Sequence, residues 1–228
     1  MPDPQLAARL AEFDGRIADA ARSAGRDLAE LTRIVVTKFH PASLVRELYE
    51  LGVRDVAENR HQEAVAKATE LSDLDLSWHF VGQLQSNKAR AVRQYAHTVH
   101  SVDRASLVDA LAAREPGDRE LGCFVELNLT DDPGRGGVDP AAADALAERV
   151  AGTTGLRLLG VMAVAPLDAE PRPAFARVRA VSERIRLIVP GAGAISAGMS
   201  DDFADAIAEG ATHLRIGTAI TGKRSTTG

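Results

Sequence analysis

The sequence predicts an α/β protein: a single (β/α)8 TIM barrel with one extra helix in front. Three observations predict it. Short apolar, β-branched runs alternate with longer amphipathic segments along the whole chain. There are eight such runs, each followed by a helix or a turn, which is the arithmetic of a barrel; a doubly wound sheet usually has fewer strands. Finally, 228 residues suffice for one large core, and no linker, low-complexity segment or short-period repeat divides them.

The elements follow in order. The opening stretch "MPDPQLAARLAEFDGRIADAARSAG" reads as an amphipathic helix over about 4–24. Asp3 caps it, Pro4 suits its first turn and Gly25 ends it. Charges interrupt its apolar face, so it is no membrane span. Strands are predicted near 31–37, 53–57, 77–81, 98–102, 121–129, 156–164, 194–197 and 212–216. Helical patterns fill 42–51, 59–71, 85–95, 104–114, 140–152, 173–188 and 202–210. Turn signals such as "EPGD" at 115–118 and "DDPGRGG" at 131–137 separate them. One domain is expected over 1–228, with the barrel at about 30–222 and a frayed tail at 223–228.

Composition removes several function classes. The net charge of −5 carries no basic field for nucleic acid. Cys123 is the only cysteine, so no internal disulfide forms; in "LGCFVEL" it reads as a small core residue. A reducing compartment and no secretory signal make cytoplasmic the expectation. "GAGAISAG" at 191–198 lacks the third glycine and the following strand-end acid of a dinucleotide fingerprint. His97 and His100 fall on opposite faces of one strand, and no histidine–carboxylate cluster suggests a metal.

In a barrel, the C-terminal ends of the strands open on one face, and chemistry gathers there. Lys38 ends the first strand, in "RIVVTKFHP". After strand seven, Gly198 frees the backbone and Ser200 is expected to cap a helix starting at Asp201. After strand eight, Gly217 and Thr218 offer further N–H groups and a hydroxyl, so the two loops are candidates to clamp one phosphate. An ordinary cap and an ordinary barrel turn would look alike, and Asp201 and Asp202 would repel an anion. Lys38 facing a phosphate site is the constellation of pyridoxal phosphate: the amine forms a Schiff base with the aldehyde, and desolvation in the mouth would lower its pKa. Arg215 shares a side of strand eight with Gly217 and is a candidate partner for the pyridine nitrogen.

At these residues the chain resembles the pyridoxal phosphate homeostasis proteins (YggS/PROSC type) over nearly its whole length. The blocks are "VVTKFHPAS" at 35–43, "VAENRHQEAVAK" at 56–67, "WHFVGQLQSNKAR" at 78–90, "GVMAVAP" at 160–166 and "GMSDDFADAIAEGATHLRIGTAI" at 198–220. The resemblance implies a fold-type III barrel, like the N-terminal domain of alanine racemase, with pyridoxal 5'-phosphate as cofactor. It implies Lys38 as the Schiff-base lysine, Ser200, Gly217 and Thr218 at the phosphate, and Arg215 near the pyridine nitrogen. Asn59 and His79 match family positions near the pocket; a helix cap and a satisfied barrel histidine are their alternatives. His40 and Arg135 stand where the family often has lysine.

The function implied is a carrier and buffer of the cofactor that maintains vitamin B6 homeostasis and hands the cofactor to apoenzymes, without catalytic turnover. Two alternatives stay open: a pyridoxal phosphate-dependent racemase or decarboxylase, and a cofactor-free Schiff-base aldolase. Racemases of this fold type add a C-terminal β-domain and a tyrosine acid/base. This chain ends about ten residues after strand eight, and Tyr49 and Tyr95 fall in helical stretches away from the strand ends. Without that β-domain a monomer is expected.

Overall fold

The computed structural model describes residues 2–222 apart from 114, 116 and 168. The expected tail at 223–228 lies outside the described residues. Eight parallel strands close into one barrel in sequence order: β1 (Thr32–Val36), β2 (Asp55–Glu58), β3 (Ser77–Phe80), β4 (Thr98–Val102), β5 (Leu121–Leu127), β6 (Leu156–Ala163), β7 (Ala194–Ser196) and β8 (His213–Ile216). β8 returns to β1 with Ile216 beside Val35, which removes every sheet edge.

Each strand follows the two-residue period of a pleat. Val35, Val56, Trp78, Val99, Val125, Ile195 and Leu214 point outward and join one apolar core with the helices. Their neighbours point inward, and several of those are polar: His79, His100, Ser196 and Arg215 are all buried. The helices are α1 (Pro4–Ser23), α2 (Ala42–Glu50), α3 (His61–Glu70), α4 (Ala89–Tyr95), α5 (Ala105–Leu111), α6 (Ala143–Ala151), α7 (Pro171–Ile188), α8 (Phe203–Ala208) and α9 (Thr218–Thr221).

α1 buries Leu6, Leu10, Phe13, Ile17 and Ala21, spaced three and four apart. Asp3 caps it by accepting from the Gln5 amide, and Pro4 occupies its first turn. It packs beside the seam where the barrel closes. Phe13 meets the Phe203 ring at 4.9 Å, and Arg9 Nε donates to the Ile220 carbonyl at 2.8 Å.

Several predicted elements shorten or split. The patterns at 85–95 and 140–152 each begin with a 3₁₀ turn, Ser86–Lys88 and Pro140–Ala142, before the α-helix. The pattern at 104–114 ends as a helix at Leu111. At 202–210 the helix spans only Phe203–Ala208. Pro140 marks one of these boundaries; apolar periodicity does not resolve the others. Cys123 is fully buried on β5, and burial pushes its thiol up to about 12. Among the described residues, no helix is long and apolar enough to cross a membrane.

Candidate cofactor site at the barrel mouth

The end of β1 is held by a buried polar knot. Lys67 of α3 donates to the Thr37 carbonyl at 2.9 Å and to Glu58 Oε1 at 2.6 Å, and the Thr37 hydroxyl donates to the same oxygen at 2.6 Å. Thr37 and Glu58 are fully buried. Burial pushes the Glu58 carboxyl up, and Lys67 and Thr37 pull it back. The knot fixes the residue before Lys38, so the backbone leaves the barrel at a set place. Thr37 faces the helices, and period two puts Lys38 on the inner side.

Lys38 is exposed in this structure, with Nζ 5.9 Å from the Phe39 ring centroid. The expected desolvation is therefore a correction: β1 stops at Val36, and the lysine sits on the rim above the packed interior. Phe39 takes φ +67°, the only positive φ outside glycine among the described residues, and its amide donates to Glu63 Oε2 at 3.1 Å. This tight turn swings the chain from strand to helix within a few residues of Lys38. His40, where the family often has lysine, is half-buried; burial and the Lys67 charge push its imidazole down.

The two candidate phosphate loops, after β7 and β8, lie beside the end of β1. The Arg215 amide donates to the Gly198 carbonyl at 3.0 Å, tying the loop after β7 to strand β8. A Cβ built on Gly217 would lie 3.8 Å from Val36. Ser200, Gly217, Thr218 and Lys38 thus occupy the ends of three consecutive strands, β7, β8 and β1. One expectation fails here. Ser200 does not cap a helix at Asp201. The helix begins at Phe203 with Asp202 as its cap residue, and Asp202 Oδ1 accepts from the Met199 amide at 2.6 Å. Asp202 holds the cap position without a side-chain capping bond: its carboxylate folds back to the Met199 amide across the turn opened by Gly198 at φ +93°. Ser200 stands half-buried in that turn, and its hydroxyl is not engaged as a cap.

Arg215 lies inside the barrel. Its guanidinium donates to Ser196 Oγ at 2.6 Å and to the Ala163 carbonyl at 2.9 Å. Burial pulls it down to about 10, with Glu126 and Asp202 opposing. Glu126, near the end of β5, escaped the sequence reading. Burial, with help from Asp103, pushes its carboxyl up to about 7, and Oε2 is buried without a partner. Arg135, where the family often has lysine, lines a cavity of about 110 Å³ with Glu126, Asn128 and Thr130. The only sequence signal for Glu126 was a carboxylate at an inward position of a strand, in "FVELN".

Asn59 follows β2, and Arg60, not Asn59, is the cap residue of α3. The Asn59 Oδ1 atom is buried without a partner. The residue borders a cavity of about 260 Å³ together with Arg60, His61, Gln83 and Lys88. Tyr95 reaches this region too: its hydroxyl is 3.4 Å from His61 Nδ1, although its helix lies outside the barrel. His79 lies deeper, between Asp55 and His100, at 3.0 and 2.9 Å. His97, by contrast, accepts from the Trp78 amide outside this interior. Among the described residues no cluster of three or more potential ligands could hold a metal ion.

These residues suit pyridoxal phosphate. An amine, an interior guanidinium and two hydroxyl-bearing loops lie together. Nearby, Asn59 and Glu126 each hold a buried oxygen without a protein partner, as expected where a polar ligand binds.

Fold and site together define a closed parallel barrel whose interior is polar and whose mouth carries a lysine. Comparison with known proteins places it. The alanine racemase N-terminal domain family matches residues 19–225. A pyridoxal phosphate homeostasis protein of Pseudomonas aeruginosa is 42% identical, covering 96% of each chain. One from Mycobacterium tuberculosis is 40% identical, covering 97% of this chain and 94% of its own. PipY of Synechococcus elongatus, solved with PLP bound, superposes with a TM-score of 0.80 at 35% identity, covering 95% of this chain and 99% of its own. The chain belongs to the alanine racemase N-terminal domain family and, within it, to the pyridoxal phosphate homeostasis proteins.

Proposed function

We propose that this chain binds pyridoxal 5'-phosphate at the C-terminal mouth of its barrel and serves as a carrier and buffer of the cofactor, without catalytic turnover. What supports this is that β1 ends at Val36 beside Gly217 of the β8 loop, with Lys38 two residues further on, in a barrel similar to one solved with PLP. When bound, the cofactor supplies an aldehyde that condenses with an amine and a ring that withdraws electrons. Lys38 offers the amine. Arg215 offers a donor to the ring nitrogen, leaving the ring a poorer electron sink than a carboxylate partner would. Ser200, Gly217 and Thr218 hold the phosphate, Asn59 orients the ring, and His79 acts from beneath. The protein works as a cytoplasmic monomer and delivers cofactor to apoenzymes.

The test is an absorbance spectrum of the purified protein, before and after borohydride, with peptide mapping. A near-visible band that reduction removes, with the pyridoxyl group on Lys38 and none trapped in Lys38→Ala, is expected. A Lys38→Ala protein with normally bound, spectrally unchanged cofactor would overturn the assignment.

Glu126 favours a second reading, a racemase or decarboxylase, because it is a proton-transfer group with its pKa near 7 in the same mouth. Turnover of added amino acids that Glu126→Gln abolishes would establish that reading. No turnover, with cofactor passing to an added apoenzyme, is the result expected of the carrier.

A further inference from the structure

Beneath the mouth, a single file of hydrogen bonds crosses the barrel. Arg215 donates to Ser196 Oγ at 2.6 Å, Ser196 Oγ lies 2.8 Å from His100 Nδ1, His100 Nε2 lies 2.9 Å from His79 Nδ1, and His79 Nε2 lies 3.0 Å from Asp55 Oδ1. His100 and Ser196 sit on β4 and β7, which are not neighbours, so this bond spans the interior. Arg215 is at the mouth end. Asp55 begins β2 at the opposite end, where it is about a third exposed and borders a cavity of about 460 Å³.

Chemistry gives the file one direction. A guanidinium only donates, so Ser196 accepts from Arg215. Its own proton then goes to His100 Nδ1, which leaves His100 with a proton on Nε2 to give to His79 Nδ1. His79 in turn carries its proton on Nε2, facing the Asp55 carboxylate. Every donor finds an acceptor with both histidines neutral. Turning both neutral rings around would set two acceptors against each other between His79 and Asp55. A proton on both nitrogens of His79 would make His100 Nε2 the acceptor and reverse that link of the file. Phe124 stacks on His100 at 4.6 Å, and His213 approaches from β8 at 6.5 Å, held by Thr212 at 2.8 Å. Besides Asp55, the titratable or charged groups facing the file are therefore His213, Arg33 near Asp55, His97 near His79 and Asp55, and Glu126 and Asp202 near Arg215.

We propose that Asp55, His79, His100 and Ser196 are positioning residues that order the protons of this file and so hold Arg215 as the donor to the cofactor ring, from the far end of the barrel. This rests on the reading that Arg215 meets the ring nitrogen.

The first measurement needs no cofactor. Nitrogen-15 NMR of histidine-labelled protein is expected to show His79 and His100 both protonated on Nε2 only. A proton on Nδ1 of His100 would overturn the order. The second measurement uses loaded protein. Asp55→Ala is expected to shift the absorbance of the bound cofactor and to release it about two- to tenfold faster, the scale of one weakened hydrogen bond. Asp55→Asn keeps an acceptor oxygen and is expected to restore both. Arg215→Gln separates the two readings. If it shifts the spectrum while Asp55→Ala does not, the file is wrong and the Arg215 placement stands. If neither variant shifts it, the Arg215 placement is wrong and the proposal falls with it.

Discussion

Glu126 shows how one residue can carry a pH dependence for the fold. Its carboxyl is pushed up to about 7 by burial, whereas in the unfolded chain it titrates in the usual carboxylate range, near 4.3. The folded state therefore holds the proton more tightly. The stabilisation it brings is full below the unfolded value and is lost as pH rises through about 7. Glu126→Gln should remove that loss. Melting curves between pH 5 and 8 should show wild type losing about 1–3 kcal/mol relative to the variant as pH rises. Parallel curves would place Glu126 in contact with water. If the loops after β7 and β8 hold the phosphate as proposed, replacing Ser200 and Thr218 together with alanine should weaken cofactor retention by about 1–3 kcal/mol, the range for hydrogen bonds to a charged group. Equilibrium dialysis reads this directly, and unchanged affinity would leave both hydroxyls without a role.

At the scale of elements, the join of β1, β2 and α3 is the part most exposed to damage. Lys67→Met strands the Glu58 carboxylate in a site where its residue has no exposed surface. Breaking a buried pair in this way costs about 3–5 kcal/mol. Denaturant unfolding should show that loss, and adding Glu58→Gln to Lys67→Met should recover part of it. A small loss in the single variant would mean water reaches the pair. β6 and β7 meet with similar closeness. A Cβ on Gly160, at φ +153°, would lie 1.8 Å from the Ala194 carbonyl, so only glycine lets those strands pair. Short apolar, β-branched runs between turn signals located all eight strands. Apolar periodicity overran helix starts at 85–95 and 140–152, because the short 3₁₀ turns there, Ser86–Lys88 and Pro140–Ala142, bury no side chain and leave no apolar mark of where the α-helix begins.

For the molecule as a whole, the sequence by itself determined the alternation of strands and helices, hence the barrel, and with it the face on which Lys38, Ser200, Gly217 and Thr218 end their strands. Those are local facts: period two, period 3.6, and turn residues at strand ends. Only the tertiary structure decided what lies inside. Asp55, His79, His100, Ser196 and Arg215 span 160 positions of chain, from 55 to 215, yet form one file. Sequence reading saw His79 and Arg215 only as separate candidates, because no local spacing encodes contacts across a closed barrel. The structure likewise decided that Lys38 stands exposed on the rim, that α8 starts at Phe203 with Asp202 and not Ser200 in the cap position, and that Glu126 is half-buried near Arg215 with its Oε2 shielded. Each of these depends on which strands become neighbours when β8 closes onto β1, and closure is a property of the whole ring.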